Sequence, residues 1–321
     1  MRSLVLGGNG FIGSHLCEYL ARKGHQVICF DHFKKKPVRT ALSRQKSIQT
    51  VKGDFRKASD LERALDGVDY VFHFIAVATP YHSVRQPEQE VTQILVPTVK
   101  LLKLCVKKKI KKIIFPSSGG LIYGSQVDPL DKVSEDEIPL PLIPHAVIKL
   151  AIEQFLHFFH RSYHLDFCVL RLSNIYGPRG PLGGGQGVVG IFLDAVLHGK
   201  RAVVLGDGQA VRDYLYIDDA VRAIALAATK RGERKIYNVG SGTGCTVLGM
   251  LNKICAVCGK KSKPVFAPAR PAAIQRVVLS NARFRKEFGW KPTVTLEQGL
   301  RKVFEWVKTV RTAGTNNMNH Q

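Results

Sequence analysis

MRSLVLGGNGFIGSHLCEYLARKGHQVICFD, residues 1–31, decides the fold. Leu4, Val5 and Leu6 read as a short buried strand, and Gly7, Gly8, Asn9 and Gly10 turn the chain sharply. From Phe11 to Arg22 the apolar residues fall at helical spacing. Val27 to Phe30 then read as a second strand that ends at Asp31. Strand, glycine turn, helix and strand make half of a dinucleotide-binding β-α-β unit. The glycines have separate reasons. Gly7 permits the turn, Gly10 lets the backbone approach a pyrophosphate, and Gly13 lets the helix pack close to the strand. The helix N-terminus, at Phe11 and Ile12, offers free N–H groups and partial positive charge to that pyrophosphate. Asp31 is placed to accept from the ribose hydroxyls of an adenosine.

Outward from this unit, strands and helices alternate. Ser47–Val51 is expected as a strand leading into Gly53-Asp54-Phe55, where a carboxylate and a backbone amide could hold an adenine ring. A short helix at Leu61–Leu65 and a buried strand at Tyr70–Phe74 follow. The strand runs into HFIAVATP (73–80), where Ala76 keeps the backbone thin. Val91–Val106 reads as a long amphipathic helix, Ile113–Phe115 as a strand, Ala146–Tyr163 as a second long helix and Phe167–Leu172 as a sixth strand. The pattern predicts an α/β fold, a Rossmann-type doubly wound parallel sheet over 1–176. After Tyr176 the texture changes: 177–190 is rich in Gly and Pro, and shorter elements follow. Arg201–Leu205, Arg212–Tyr216 and Ile236–Val239 read as strands, and Asp218–Thr229, Val247–Val257 and Leu296–Val310 as helices. Residues 177–312 are expected to form mainly a smaller lobe over the carboxyl ends of the sheet, with 206–239 partly returning to it, and 313–321 a disordered tail.

Composition narrows the class. The chain has 321 residues and is 45% hydrophobic, enough for a sizeable core, yet no apolar run approaches a membrane span. The opening apolar run is broken at Gly7 and Gly8, which does not fit a signal peptide, so the expected compartment is the cytoplasm. Seven scattered cysteines read as reduced, and Cys255-x-x-Cys258 lacks the second pair a zinc site needs, so no metal is expected. The net charge is +23, clustered at Lys34–Lys36, at Lys107–Lys109 with Lys111 and Lys112, and at Lys260, Lys261 and Lys263. No nucleic-acid motif or aromatic interleaving accompanies these clusters, so they read as solvated faces of a protein handling anionic small molecules.

Along most of its length the sequence resembles the extended short-chain dehydrogenase/reductase family, in particular its NAD-dependent sugar-nucleotide epimerases and dehydratases. The resemblance rests on GGNGFIG (7–13), Asp31, GDF (53–55), HFIA (73–76), SSGGLIYG (117–124), the lysine of HAVIK (145–149), LRLSNIYGP (170–178), GDGQAVRDYLYIDD (206–219), YNVGSG (237–242), Arg270 and FGWKP (288–292). It implies NAD held by Gly7, Gly10, Phe11, Ile12, Asp31, Asp54, Phe55, Phe74 and Ala76, with Lys149 on the nicotinamide ribose. It also implies a nucleotide-diphosphate sugar, with a UDP-sugar favoured, gripped by Asn174, Arg212 and Arg270, with Tyr81 and Tyr123 beside it. The sugar pocket would lie in loops 79–90, 120–128 and 179–195. Relatives pair two long helices into a four-helix bundle, which implies a homodimer through Val91–Val106 and Ala146–Tyr163.

The departures from the family are as informative as the matches. The family uses a Ser/Thr hydroxyl with Tyr-x-x-x-Lys, in which a phenolate takes the proton of the sugar 4-hydroxyl. Here His145 stands at the tyrosine position, with Lys149 retained. Gly119 and Leu121 replace the neighbouring hydroxyl residues, Ser118 is the nearest one left, and Ile94 stands where the family often has Asn. A neutral imidazole can accept a proton. From the same backbone position, however, its nitrogen falls roughly 2 Å short of a tyrosyl oxygen, which calls for a bridging water or a shifted substrate. Tyr81, His82 or Tyr123 could serve as donor instead. Loss of the base, leaving a binding homologue, and a keto-sugar reductase are the other readings; Lys34–Lys36 could hold a 2′-phosphate, which Asp31 opposes.

Overall fold

A computed structural model describes residues 1–33, 45–76, 82–126, 131–183, 187–270 and 273–316. In chain order the first half runs β1 (Arg2–Leu6), α1 (Phe11–Arg22), β2 (Gln26–Asp31), β3 (Ile48–Lys52), α2 (Ala58–Ala64), β4 (Tyr70–His73), α3 (His82–Arg85), α4 (Pro87–Glu90), a π-helical turn (Val91–Leu95), α5 (Val96–Lys107), β5 (Lys112–Ser118), α6 (Pro144–Tyr163) and β6 (Phe167–Leu172). The second half runs β7 (Asn174–Tyr176), α7 (Val188–Leu197), β8 (Val203–Leu205), β9 (Val211–Tyr216), α8 (Ile217–Thr229), β10 (Ile236–Val239), β11 (Gly244–Thr246), α9 (Val247–Cys258), β12 (Val265–Ala267), β13 (Arg276–Val277), α10 (Ala282–Phe288) and α11 (Leu296–Asn316).

Seven strands form the main sheet in the order β10-β6-β5-β4-β1-β2-β3, each neighbour parallel. Parallel strands with helices on both faces are apolar on both sides. Val5, Cys29, Phe72 and Ile114 join the core under α1 and α8, while Leu4, Leu6, Ile28, Phe30, Val71, Ile113 and Phe115 join the core under α5 and α6. The period of two along each strand explains the split.

Strand order reverses beside β1, so the loops after β1 and β4 part to leave a crevice at the carboxyl ends of the strands. The backbones there are nearly in contact. Gly7 has φ +77°, and a Cβ on it would lie 2.8 Å from the Phe74 carbonyl oxygen. A Cβ on Gly13 would lie 2.2 Å from the Gly7 carbonyl oxygen. These two glycines set the distance between α1 and the strand end.

The remaining elements build the cap. β11, β9 and β13 form a second sheet, with β7 also paired to β9, and β8 pairs with β12. The division expected at Tyr176 therefore falls inside the second lobe: β7 belongs to the β9 sheet, and the chain leaves the main sheet after β6. Between the lobes' strands, β10 returns to pair with β6. Arg179 clamps the linking loop onto α1, donating to both Glu18 carboxylate oxygens at 2.7 and 3.1 Å, while a Gly180 Cβ would touch the Phe11 ring.

Three further expectations need correction. The helix read from Val91 begins at Pro87 and passes through a π-helical turn, so its register is not that of one continuous α-helix. The loop expected at 179–195 contains the start of α7, whose apolar Val189, Phe192 and Leu193 are buried. The tail expected to be disordered from Ala313 continues as α11 to Asn316.

Gly13→Ala should lower stability by about 1–3 kcal/mol, because the new methyl group meets backbone that cannot yield. It should also weaken dinucleotide binding. Thermal unfolding and calorimetry of the variant check both effects.

Candidate active site

The crevice beside β1 is built by the glycine loop. The Gly7 and Gly8 N–H groups donate to the Phe30 carbonyl at 3.0 and 3.1 Å, and Gly10 N–H turns back to the Gly7 carbonyl at 3.0 Å. The Gly10 amide is thus spent on the turn. The first-turn amides of α1, at Phe11 and Ile12, have no carbonyl within the helix to meet and face outward at its half-buried end. Asp31 closes the loop from β2: its Oδ2 accepts from Asn9 N–H at 3.1 Å. Asp54 follows β3. Arg56 grips its carboxylate through Nη2 at 2.7 Å and Nε at 3.0 Å, and this pairing holds the carboxyl well below its ordinary range. Phe55 is buried against His73, at 4.9 Å between ring centroids, so only its backbone is available to a ligand. Phe74 N–H donates to the Leu6 carbonyl at 2.9 Å, and Ala76 is exposed at the crevice lip. Side chains at Gly7 or Gly13 would fill this cradle, so its residues fit a dinucleotide: amides for the pyrophosphate and an acid for the ribose.

One face of α6 gathers titratable side chains. Pro144 opens the helix at a position that needs no N–H. His145, Lys149 and Glu153 follow at i, i+4 and i+8, so they share one face. Apolar Ile148, Ile152, Leu156 and Phe159 bury that side of the helix and carry the three polar groups inward with it. Lys149 Nζ donates to the Pro116 carbonyl at 2.9 Å and lies 4.5 Å from the centre of the Phe115 ring. Burial pulls its ammonium down to about 8, against the opposing pull of Glu90 and Glu153. Glu153 is committed to Arg171, whose Nη2 donates to Oε2 at 2.7 Å, with both side chains buried. His145 N–H donates to Ser83 Oγ at 3.2 Å, and its ring Nδ1 lies 3.4 Å from Glu90 Oε1.

Tyr123, expected beside the substrate, belongs elsewhere. Its hydroxyl accepts from Arg171 Nη1 at 2.7 Å and donates to Asn238 Oδ1 at 2.8 Å, in the interior. Burial pushes the phenol up to about 12. Both hydrogen-bonding functions are used within the fold, so the hydroxyl is tied into the interior. Ser118, last in β5, is half-buried, and its carbonyl accepts from the Leu121 and Ile122 amides. A Cβ on Gly119 would meet Leu279 Cδ1 at 2.5 Å and the Arg171 carbonyl oxygen at 2.9 Å. The hydroxyl missing at this position is therefore replaced by packing. Gly120, instead, faces the Asn174 side chain, at 3.6 Å from its would-be Cβ. Ile94 lies in the core, inside the π-helical turn.

The expected diphosphate residues lie in the cap. Asn174 on β7 donates to the Asp213 carbonyl at 3.0 Å. Arg212 on β9 donates to the Val211 and Ile274 carbonyls at 2.9 and 2.6 Å, which fixes its guanidinium. Arg270 is half-buried in the segment between β12 and β13, and β13 pairs with β9 at Val277 and Arg212. Tyr81 and Lys34–Lys36 lie outside the described residues, and His82 opens α3. Among the described residues no three His, Cys, Asp or Glu side chains gather to hold a metal, and no helix is long and apolar enough to cross a membrane. Sequence reasoning missed Glu90, Arg56 and Arg179. Glu90 stands one residue before the helix expected from Val91, and an acid at the edge of an apolar run was the available signal.

A dinucleotide cradle joined to a lysine-bearing helix under a cap defines a class, and comparison with known proteins assigns the family. Residues 3–240 match the NAD dependent epimerase/dehydratase family, and the chain belongs to it. The UDP-glucose 4-epimerase of Mycolicibacterium smegmatis is 33% identical over 314 residues, covering 96% of this chain and 99% of that protein. The structure of UDP-glucose 4-epimerase with UDP-glucose from Thermotoga maritima superposes with a TM-score of 0.91 at 36% identity, covering 97% of this chain and 100% of that one. That of the Thermus thermophilus UDP-glucose 4-epimerase with NAD gives 0.87 at 34%, covering 96% and 99%. The protein is an NAD-dependent enzyme with a Rossmann-type fold.

Asp31 should impose the choice of dinucleotide, since its carboxylate would repel a 2′-phosphate. Calorimetry should show tighter binding of NAD than of NADP, with the preference shrinking in Asp31→Ala. Equal affinities in the wild type would remove that role from Asp31.

Proposed function

We propose that the protein is an NAD-dependent epimerase or dehydratase of a nucleotide-diphosphate sugar, with a UDP-hexose favoured, acting through transient oxidation at sugar C4. The observation that carries this reading is the pairing of a tethered imidazole and a buried ammonium one turn apart on α6. The Mycolicibacterium and Thermotoga epimerases support the nucleotide-sugar class.

Bound NAD supplies the two-electron acceptor, and then the donor, at the sugar carbon. His145 accepts the hydroxyl proton as that carbon is oxidised and returns it on reduction. Imidazole is shorter than phenol, so one water or a shifted sugar spans the gap. Lys149 holds its positive charge against the Pro116 carbonyl, beside the strand end where the nicotinamide ribose would lie. Asn174, Arg212 and Arg270 bind the diphosphate, for which guanidinium groups provide paired donors. The chain through β6, with β10, serves the cofactor, and β7 with most of the later elements serves the substrate.

Wild-type protein incubated with NAD and UDP-, dTDP-, GDP- and CDP-sugars should convert a UDP-hexose to a product visible by NMR. His145→Ala should lower that turnover roughly 10²- to 10⁴-fold while leaving NAD binding intact. With NADH and a 4-keto-sugar nucleotide in place of NAD and the hexoses, a product two hydrogens heavier than its substrate, formed as NADH is consumed, would mark a reductase. Binding without turnover of any sugar would mark a non-catalytic homologue.

We further propose a homodimer. Val91, Val96, Val147 and Phe158 expose an apolar face on the long helices of the α4–α5 run and α6. Light scattering at micromolar concentration should give twice the chain mass; the mass of one chain would contradict this.

A further inference from the structure

We propose that Glu90 positions His145. It holds the Nδ1–H edge of the ring and leaves Nε2 as the proton acceptor. The inference rests on the assignment of His145 as the base, and it gives that residue a tautomer and a charge partner.

Glu90 is an unusual place for a carboxylate. It ends a four-residue helix whose Pro87 and Glu88 are exposed, yet its own side chain is 4% exposed. A carboxylate so deeply buried needs a compensating partner. Among the described residues its charge is opposed by the Lys149 ammonium, and the polar group that meets it is His145 Nδ1, at 3.4 Å, on a ring that is itself 13% exposed. Catalytic hydrogen bonds are often this long before substrate binds. The backbone of His145 is pinned independently by Ser83 at 3.2 Å, so both ends of the residue are fixed by the 82–90 segment. The π-helical turn begins at the next residue, Val91, and such turns recur at functional sites.

An imidazole has two nitrogens, and the hydrogen bond made by one decides the state of the other. A carboxylate accepts only, so Nδ1 must carry the proton it receives. Nε2, on the opposite edge of the ring, is then bare. When Nε2 takes a proton, the new positive charge would form one helical turn from the Lys149 ammonium. Glu90 supplies the offsetting negative charge. Glu153 cannot, because Arg171 occupies it. Among the described residues the charged groups near the ring are thus Glu90 from α4 and Lys149 from α6; Arg85 on α3 and Glu88 on α4 are exposed.

Two variants separate orientation from charge. Glu90→Leu removes both, while Glu90→Gln keeps an accepting oxygen and loses the charge. The readouts are ring-nitrogen NMR on ¹⁵N-histidine-labelled, NAD-loaded protein, with the His145 signal assigned by its loss in His145→Ala, and kcat, KM and pH profiles on the sugar that wild type turns over. The wild-type ring should show protonated Nδ1 and bare Nε2, retained in Glu90→Gln and lost in Glu90→Leu. Both variants should lose kcat by roughly 10- to 100-fold, the range known for carboxylates that orient metal-binding histidines, with KM nearly unchanged. In Glu90→Gln the acid limb should move to lower pH, because the imidazolium has lost its counter-charge. Adding Glu90→Leu to His145→Ala should cost nothing more. A wild-type ring protonated on Nε2 alone, or wild-type kcat in Glu90→Leu, overturns the proposal. If no sugar is turned over, the epimerase reading fails and the NMR arm alone still decides the role of Glu90.

Discussion

A buried ammonium constrains this structure more than any other group. Lys149 is carried into the interior on the face of α6 that it shares with His145 and Glu153, and its charge is matched by a carbonyl, an aromatic face and two carboxylates. Burying a cation is tolerable only where such partners are fixed in advance. Pro116 is fixed by the sheet, Phe115 by the core, and Glu153 by Arg171. The Arg171 pair leads on through Tyr123 and Asn238 to the Val133 carbonyl, which ties the floor of the site to the segment crossing beneath the cap. The Glu153–Arg171–Tyr123–Asn238 chain therefore serves the lysine before it serves any substrate.

This arrangement also explains how the two lobes meet at one place. The strand reversal beside β1 creates the crevice, and the close approach of Gly7 to Phe74 keeps it narrow. The second half of the chain is fastened to the first by the Arg179 clamp on Glu18, and α8 is fastened to the 293–294 segment by Asp219, which accepts from the Thr293 and Val294 amides at 2.9 Å each. Asn174 and Arg212 stand on one sheet, with their positions set by backbone carbonyls. If they bind the substrate as proposed, they are held before it arrives, which lowers the ordering cost of binding.

The Rossmann half is legible in the sequence because its elements depend on local rules. Gly7 and Gly13 are demanded by backbone contacts that no other residue allows, and the strands are buried on both faces. The cap is less legible. β11, β12 and β13 have two or three residues each and exist only through pairing with distant strands. The start of the α4–α5 run is hidden because a π-helical turn breaks the period on which such a reading relies. Within the site, His145 and Lys149 stand out by their spacing, whereas Tyr123 is misplaced by sequence alone because its partners, Arg171 and Asn238, are 48 and 115 residues away. Glu90 escapes for the same reason, lying 55 residues from the ring it faces.

In the proposed reaction the His145 imidazole does the work of the family's phenol. A crystal structure of the protein with NAD and a bound UDP-hexose measures this directly, through the position of the sugar 4-hydroxyl oxygen relative to His145. That oxygen should lie about 2.6–3.2 Å from Nε2, or be joined to it by a single ordered water. A 4-hydroxyl that instead contacts another proton-accepting side chain, with the His145 ring turned away, would contradict the claim.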